Sequence, residues 1–301
     1  MNIKNQPLVA IMMPSMNHER FVAEAVESVF AQGYANIRVV ICDDASTDSN
    51  YSKLQELASR FPIVLIKNDT RLGIVKTLNR CYAECQDADF FYGMATDDIM
   101  QPGMIEACLD MMRMHPLAGI ILGSHINIDS AGKRLDEARV KGPPKRILLE
   151  TAFERYYPSF QFQRGAFTRS AYPLDGRMMG EDMYLFTFGV LSDFEVIQTD
   201  IPFILRRLHD NNTSRSAAYI SSTENEWACF PDSPAKLRKM RISLRRHMLC
   251  CLGLKNSEKE RFIPVFAKAG FSWHYILFRL SFIPPVRWPL SLARWLVRVL
   301  R

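Results

Sequence analysis

The sequence predicts an α/β protein with a mostly parallel sheet flanked by helices. Two observations carry this prediction: short apolar runs recur along the amino-terminal half of the chain, and segments with apolar side chains at helical spacing separate them. Strands that are apolar throughout are typical of parallel sheets covered on both faces, and the helices between them provide the crossover connections. In open sheets of this kind, ligands bind outside the carboxyl ends of the strands.

The predicted elements alternate in order along the chain. The first strand covers residues 8–13 and is followed by Pro14 and Ser15, and the first helix covers residues 20–31 and ends at Gly33. Further strands are predicted at residues 37–42, 63–66, 89–95 and 118–128, and further helices at residues 51–60, 73–85 and 104–114. Residues 133–146 are basic and contain Gly142-Pro143-Pro144, which predicts a mobile surface loop.

Charge is divided unevenly between the two ends of the chain. The net charge is +6, but residues 236–301 hold 15 Lys and Arg against 2 Glu, a balance of +13, which leaves −7 for the remainder. We therefore expect a catalytic domain over residues 1–225 and a basic helical tail over residues 226–301. A basic tail on an acidic remainder predicts a polyanionic partner for the tail.

A helix over residues 288–301 would place tryptophans and aliphatic residues on one stripe beside a stripe of arginines. The apolar stripe holds Trp288, Leu292, Trp295 and Val299. This pattern is typical of helices that lie on an anionic membrane surface. It disfavours nucleic acid, because the tryptophans belong to an apolar stripe. Packing of the same helix on the catalytic domain remains the alternative.

The compartment is predicted from cysteine usage and from the apolar runs. Seven cysteines in mostly apolar surroundings, with no histidine cluster beside them, indicate buried reduced thiols in a cytoplasmic protein. The first fifteen residues resemble a core strand rather than a signal peptide. The sequence contains no run of about 18 uncharged apolar residues, so no membrane-spanning helix is predicted.

Three pairs of adjacent acids stand at the ends of predicted strands or at the start of a helix. They are Asp43/Asp44, Asp97/Asp98 and Glu181/Asp182. Taken alone, the first pair fits capping of the next helix better than a ligand site. The third is equally consistent with favourable charge at a helix amino terminus. Asp97 and Asp98 exceed what a cap requires, and hard carboxylate ligands suit Mg²⁺ or Mn²⁺ bound to a diphosphate.

These motifs together resemble glycosyltransferase family 2. The resemblance is carried by VAIMMPSMNHERFVAEAVESVFAQGYANIRVVICDDASTD, RLGIVKTLN, YGMATDDIMQPGMI and GEDMYLF, in the family's order and at roughly its spacing. ATDDIMQP is especially similar to the spore-coat-type members. The resemblance implies a GT-A fold with a Rossmann-like sheet, a nucleotide-diphospho-sugar donor, Mn²⁺ or Mg²⁺, and inversion at the anomeric carbon. It also divides the domain into a nucleotide-binding half, 1–128, and an acceptor half, 129–225.

The resemblance implies roles for individual residues. Pro14 and Ser15 would lie against the nucleotide, Asp44 would accept a hydrogen bond from a uracil or thymine ring, and Lys76 would approach the base or the phosphates. Asp97 would contact the ribose. The metal would be held by Asp98, with His209 as a further ligand or phosphate donor, and Asp182 would be the general base. His209 is equally explained as a surface or capping residue.

Two departures from the family pattern keep other functions open. Ala95 replaces an acid that is common before the Asp pair, and Phe188 replaces an arginine. The main expectation is a cytoplasmic enzyme, peripheral on the inner face of the cell membrane. It would transfer a sugar from a UDP-sugar, or a dTDP-sugar, to a saccharide acceptor on a lipid carrier. The alternatives are a non-catalytic, membrane-associated binding protein and a nucleotidyltransferase. A Rossmann oxidoreductase is disfavoured because the chain has no GxGxxG.

Overall fold

The fold was derived from a computed structural model. It describes residues 6–138, 145–146, 160–174, 181–182, 185–186, 189, 194–210 and 212. The chain divides into two compact units, Met1–Asp232 and Ser233–Arg301, and every described residue lies in the first. The basic tail and its predicted membrane-surface helix are therefore outside the described residues. Among the helices that are described, none is both long and apolar enough to cross a bilayer.

Strands and helices alternate in the amino-terminal half. The strands are β1 (Val9–Ser15), β2 (Ile37–Asp43), β3 (Ile63–Lys67), β4 (Phe90–Gly93), β5 (Ile99–Met100), β6 (Ala118–Ile128), β7 (Arg134–Ala138), β8 (Lys145–Arg146), β9 (Gln161–Arg164) and β10 (Glu195–Arg207). The helices are α1 (Val22–Phe30), α2 (Asn50–Arg60), α3 (Ile74–Ala83), α4 (Met104–Met114) and α5 (Gly165–Ala171).

The described strands form one sheet in the order β3-β2-β1-β4-β9-β6-β10-β5, with β7 paired to β6 and β8 to β10. The first four strands in that order are parallel. Strand β9 is antiparallel to both of its neighbours, and β6 and β10 are parallel. The predicted α/β fold with a mostly parallel sheet is confirmed.

Burial of the sheet on both faces explains the continuous apolar strands. In β1, Val9, Ile11 and Met13 belong to one core cluster, which includes residues of α1 and α4. The intervening Ala10 and Met12 belong to a second cluster, with residues of α3 and α5 on the opposite face. Because neither face of β1 is left to solvent, its sequence shows no alternation of polar and apolar residues.

The predicted surface loop over residues 133–146 is partly wrong. Strand β7 pairs antiparallel with β6, and β8 pairs antiparallel with β10. Residues 134–136 are exposed, including Leu135 at 53%. An exposed strand at the margin of a sheet needs no apolar run, so local hydropathy did not reveal β7. The strands β5, β9 and β10 were also absent from the sequence prediction.

Burial of His125 on β6 leads to a pH-dependent stability. Burial, and then the charge of Arg206, lower the pKa of His125 from 6.5 to about 4, and its ring packs on Phe160. Between these values the unfolded chain binds a proton that the folded chain does not. The free energy of unfolding is therefore expected to fall as the pH is lowered from 6.5 to about 4. The slope should stay below the roughly 1.4 kcal/mol per pH unit of one fully buried proton site, because solvent screens this partly exposed ring.

Urea unfolding at several pH values measures this slope. His125→Gln should flatten it, and His115→Gln at the end of α4 is the matched control. An unchanged slope in His125→Gln would contradict the assignment.

Candidate functional site

The carboxyl ends of β1, β2 and β4 place polar residues side by side at one edge of the sheet. Ser15 ends β1 in register with Asp43, which ends β2. Thr96, in the loop after β4, donates a hydrogen bond from Oγ1 to Ser15 Oγ at 2.6 Å. Asn50 at the start of α2 donates to the same oxygen at 2.8 Å. This edge is where the acidic pairs were expected to meet, and Pro14 and Ser15 lie within it.

Asp43 holds the loop between β2 and α2. One of its carboxylate oxygens accepts from the Ser46 amide, and the other accepts from the Ser46 hydroxyl and from Asn50 Nδ2. The side chain is fully buried. These bonds order the loop between β2 and α2. The predicted capping of α2 is wrong for Asp43, because the N-cap residue of that helix is Ser49, whose side chain makes no capping hydrogen bond.

Asp44 holds the segment that leads into α3. Its carboxylate accepts from Asn68 Nδ2 at 2.7 Å, from the Leu72 amide at 2.7 Å and from the Gly73 amide at 2.9 Å. Lys76, one turn into α3, is exposed. A nucleotide base that binds Asp44 would share oxygens that already accept these bonds, so Asp44 shapes the segment before α3 in addition to any ligand contact.

Asp97 lies at the centre of a cluster with two histidines. His209 Nε2 is 2.9 Å from Asp97 Oδ2, and His18 Nε2 is 3.7 Å from the same oxygen. Asn212 Nδ2 donates to Oδ2 at 3.2 Å. The ligand atoms of His18, Asp97 and His209 all lie within 4.8 Å of one another. Asp97 Oδ1 is buried and has no hydrogen-bond partner in the described part of the chain.

The charges in this cluster favour a negative Asp97. Burial raises its pKa, but the hydrogen bond from His209 and the charges of His18 and His209 outweigh burial and leave the pKa below its usual value. Burial is also the main reason that the pKa of His18 is lowered. The cluster therefore joins a carboxylate to two imidazoles.

Asp98 has a different environment from its neighbour. Its Oδ1 accepts the backbone N–H of Arg207 at 2.9 Å, across 109 residues of chain. Burial, followed by the charge of Asp97, raises the pKa of Asp98 well above its ordinary range. The contacts of the two acids thus favour Asp97, rather than Asp98, as the carboxylate that meets His209.

Arg207 fixes the acidic loop from the other side. Its Nε donates to the Asp97 carbonyl at 3.0 Å, and its buried guanidinium lies 4.7 Å from the Phe21 ring. It also forms an ion pair of 2.6 Å with Glu24 of α1. Together with the Asp98 bond, this makes a reciprocal clamp between the loop after β4 and the end of β10, two residues before His209.

Removing this guanidinium is expected to destabilise the protein. Arg207→Met should lower the free energy of unfolding by about 1–3 kcal/mol, because the Asp97 carbonyl loses its donor. Urea denaturation measures the change. The matched control is Arg60→Met, whose ion pair with Glu27 is half exposed and should cost about 0–1 kcal/mol. Equal losses in both variants would contradict the clamp.

Asp182 begins a helical turn in which the Leu185 amide donates to the Glu181 carbonyl at 2.9 Å. Its own carbonyl accepts from Gln161 Nε2 of β9 at 2.8 Å, and its side chain is partly buried. After burial itself, the charges of Asp98 and Asp182 both raise the pKa of the buried Tyr92 hydroxyl. The acidic loop and Asp182 therefore act on the same phenol.

The site residues predicted from the sequence did not include His18, Thr96, Arg207 or Asn212. His18 stands in PSMNHE, directly after the first strand, so its position beyond a strand end was a usable signal. The contacts of Arg207 and Asn212 with the acidic loop span more than 100 residues of chain, and no local pattern encodes them.

Solved structures share this fold. Residues 1-349 of S. aureus TarS, solved in complex with UDP-GlcNAc, align with a TM-score of 0.66 and 14% identity, over 91% of this chain and 87% of that one. The mannosyltransferase PcManGT of Pyrobaculum calidifontis, solved with GDP-Man and Mn²⁺, aligns with a TM-score of 0.61 and 15% identity, over 95% and 84%. The protein thus has the GT-A type of α/β fold.

The family is shown by the sequence itself. Residues 10–169, more than half of the chain, match glycosyl transferase family 2, and the chain belongs to that family. A chondroitin synthase of Escherichia coli is 32% identical over 131 residues, 43% of this chain and 19% of that protein. The putative glycosyltransferase EpsE of Bacillus subtilis (strain 168) is 29% identical over 130 residues, 42% and 46%. The matched region therefore spans less than half of either relative.

Proposed function

We propose that the protein is an inverting glycosyltransferase that moves a sugar from a nucleotide-diphospho-sugar to a saccharide acceptor in polysaccharide synthesis. Membership of the family supports the reaction class. The chondroitin synthase relative supports the product class, and the neighbours solved with UDP-GlcNAc and GDP-Man support the donor class. We propose a UDP-sugar as the donor, with a dTDP-sugar as the second candidate, because the proposed contact of Asp44 suits a uracil or thymine ring.

The observation that carries this proposal is the buried, unpartnered Oδ1 of Asp97 beside His209. A buried carboxylate oxygen without a donor is costly unless a cation neutralises it. Asp97 and His209 fit Mn²⁺, with Mg²⁺ as the other candidate. Our proposal therefore assigns the metal to Asp97, in place of Asp98, which the family resemblance implied. Bound there, the ion would stabilise the negative charge that develops on the diphosphate.

The chain's own residues would then perform one displacement. Asp182 takes the proton of the acceptor hydroxyl while that oxygen bonds to the anomeric carbon. The bond from the anomeric carbon to the diphosphate oxygen breaks, and its electron pair leaves with the nucleoside diphosphate. Attack from the face opposite the diphosphate inverts the anomeric centre. Asp44 and Ser15 orient the nucleotide at the sheet edge, which supplies part of the rate by positioning.

A thermal-shift screen of UDP-, dTDP- and GDP-sugars, each with Mn²⁺, with Mg²⁺ or with EDTA, tests the donor class. A donor at 100 times its dissociation constant should add about 2.7 kcal/mol of stability. The donor that stabilises is then incubated with oligosaccharides, and release of nucleoside diphosphate is measured. Binding without any transfer would favour the non-catalytic alternative, and no stabilisation by any nucleotide-sugar would overturn the proposal.

We also propose that the enzyme acts at the inner, cytoplasmic face of the cell membrane on a lipid-linked acceptor. The support is the basic, tryptophan-containing pattern of residues 236–301. Truncation after residue 235 should abolish recovery with vesicles that contain anionic lipid and leave turnover of a soluble oligosaccharide acceptor. Undiminished vesicle recovery of the truncated chain would contradict the membrane role.

A further inference from the structure

His18 lies between the hydrogen-bonded hydroxyls of Thr96 and Ser15 at the sheet edge and the Asp97 cluster. Its Nδ1 is 2.9 Å from Thr96 Oγ1, and its Nε2 is 3.7 Å from Asp97 Oδ2. The rings of His18 and His209 meet edge to face, with centroids 5.9 Å apart. One imidazole thus contacts a hydroxyl on one side and approaches a carboxylate on the other.

The hydrogen bond between the Thr96 and Ser15 hydroxyls favours one tautomer of His18. Thr96 Oγ1 donates its single hydrogen to Ser15 Oγ. The Thr96 oxygen is therefore left to accept from His18 Nδ1–H. In a neutral imidazole the other nitrogen, Nε2, then bears a lone pair, and Nε2 lies 3.7 Å from Asp97 Oδ2.

This arrangement sets two acceptors against each other. His18 Nε2 and Asp97 Oδ2 are 3.7 Å apart, and the buried Asp97 Oδ1 has no hydrogen-bond partner among the described residues. Acceptors in this arrangement repel one another unless a cation lies between them. The separation of the ligand atoms, within 4.8 Å, suits an ion whose bonds to N and O are about 2.0–2.2 Å.

We infer that His18 Nε2 is a third protein ligand of the metal, and that Thr96 and Ser15 are positioning residues that fix its tautomer. The inference rests on the proposed function for the presence of the metal. Ligating histidines usually donate their other N–H to such an outer partner.

The donor set has a consequence for metal choice. Two imidazoles with one carboxylate suit divalent transition metals, whereas Mg²⁺ prefers oxygen ligands and retained waters. His18 therefore selects Mn²⁺ over Mg²⁺. A direct contact of His18 with the donor phosphates is the competing role, and the experiment separates the two.

The test compares the full-length protein with His18→Asn, Thr96→Val and Thr96→Ser. Asparagine retains a donor for Thr96 but lacks Nε2, and serine retains the hydroxyl that valine removes. His115→Asn, at the end of α4, is the matched control. Manganese chloride is the probe, with and without UDP. The Mn²⁺ affinity is measured from the electron paramagnetic resonance signal of free Mn²⁺, and the Mg²⁺ affinity from competition with Mn²⁺. Pulsed electron paramagnetic resonance detects the nitrogens that coordinate Mn²⁺.

The wild type and His115→Asn should show couplings from two imidazole nitrogens, and His18→Asn from one. Mn²⁺ affinity should fall about 10–100-fold in Thr96→Val and at least as much in His18→Asn, with Thr96→Ser near wild type and with Mg²⁺ affected less. The inference would be overturned if the wild type showed coupling from one nitrogen only and His18→Asn left that coupling unchanged. It would also be overturned if His18→Asn weakened UDP binding while the nitrogen couplings stayed intact. These readouts need no sugar transfer, so failure of the proposed reaction is seen separately.

Discussion

Asp97→Asn is expected to abolish tight Mn²⁺ binding and to lower sugar transfer by about 10²-fold or more, while Asp98→Asn retains most of both. The two acids are neighbours in sequence, yet their surroundings differ. Asp97 carries the unpartnered buried oxygen and meets His209. Asp98 is engaged by the backbone of Arg207.

The electrostatics explain why asparagine should be tolerated at residue 98. Burial and the charge of Asp97 raise the pKa of Asp98 well above its usual range, so its neutral form is favoured. Asparagine resembles that neutral acid and keeps an oxygen to accept the Arg207 N–H. At residue 97 the negative charge is what a cation needs, and asparagine removes it.

Mn²⁺ titration calorimetry and initial rates of nucleoside diphosphate release measure both effects. Urea denaturation of each variant excludes a loss of folding as the cause. If Asp98→Asn lost metal binding while Asp97→Asn kept it, the metal would belong to Asp98, as the family resemblance first implied.

Asp182→Asn is expected to lower turnover by about 10²–10⁴-fold and to leave donor affinity nearly unchanged. Asparagine cannot take the proton of the acceptor hydroxyl, whereas binding of the nucleotide depends in our proposal on Asp44 and Ser15. The partly buried side chain begins a helical turn and acts on the same phenol, Tyr92, as Asp98.

Glu181→Gln is the matched control, because it makes the same chemical change one residue earlier. The transfer rate at saturating acceptor and the dissociation constant for UDP-sugar are measured for both variants. Equal loss of turnover in the two would indicate a general effect of charge at this helical turn. Loss of donor binding in Asp182→Asn would indicate that this acid contacts the donor instead.

The order of the first elements was predictable because their signals are local. The predicted strand over residues 37–42 and helix over residues 104–114 correspond to β2 (Ile37–Asp43) and α4 (Met104–Met114). Burial on both faces makes each such strand a continuous apolar run, and each helix carries its own apolar spacing. In contrast, β7 was missed because an exposed marginal strand lacks this signal.

Local sequence by itself determined the α/β alternation, the positions of the acids after their strands, and the family resemblance. Only the tertiary structure decided which of Asp97 and Asp98 faces the histidines, and that His18 joins them. Adjacent acids after one strand carry identical local signals. The strand β10 arrives from more than 100 residues away, donates the Arg207 amide to one acid and brings His209 to the other. Long-range hydrogen bonds of this kind leave no trace in local sequence, because their partners meet only when the sheet is complete.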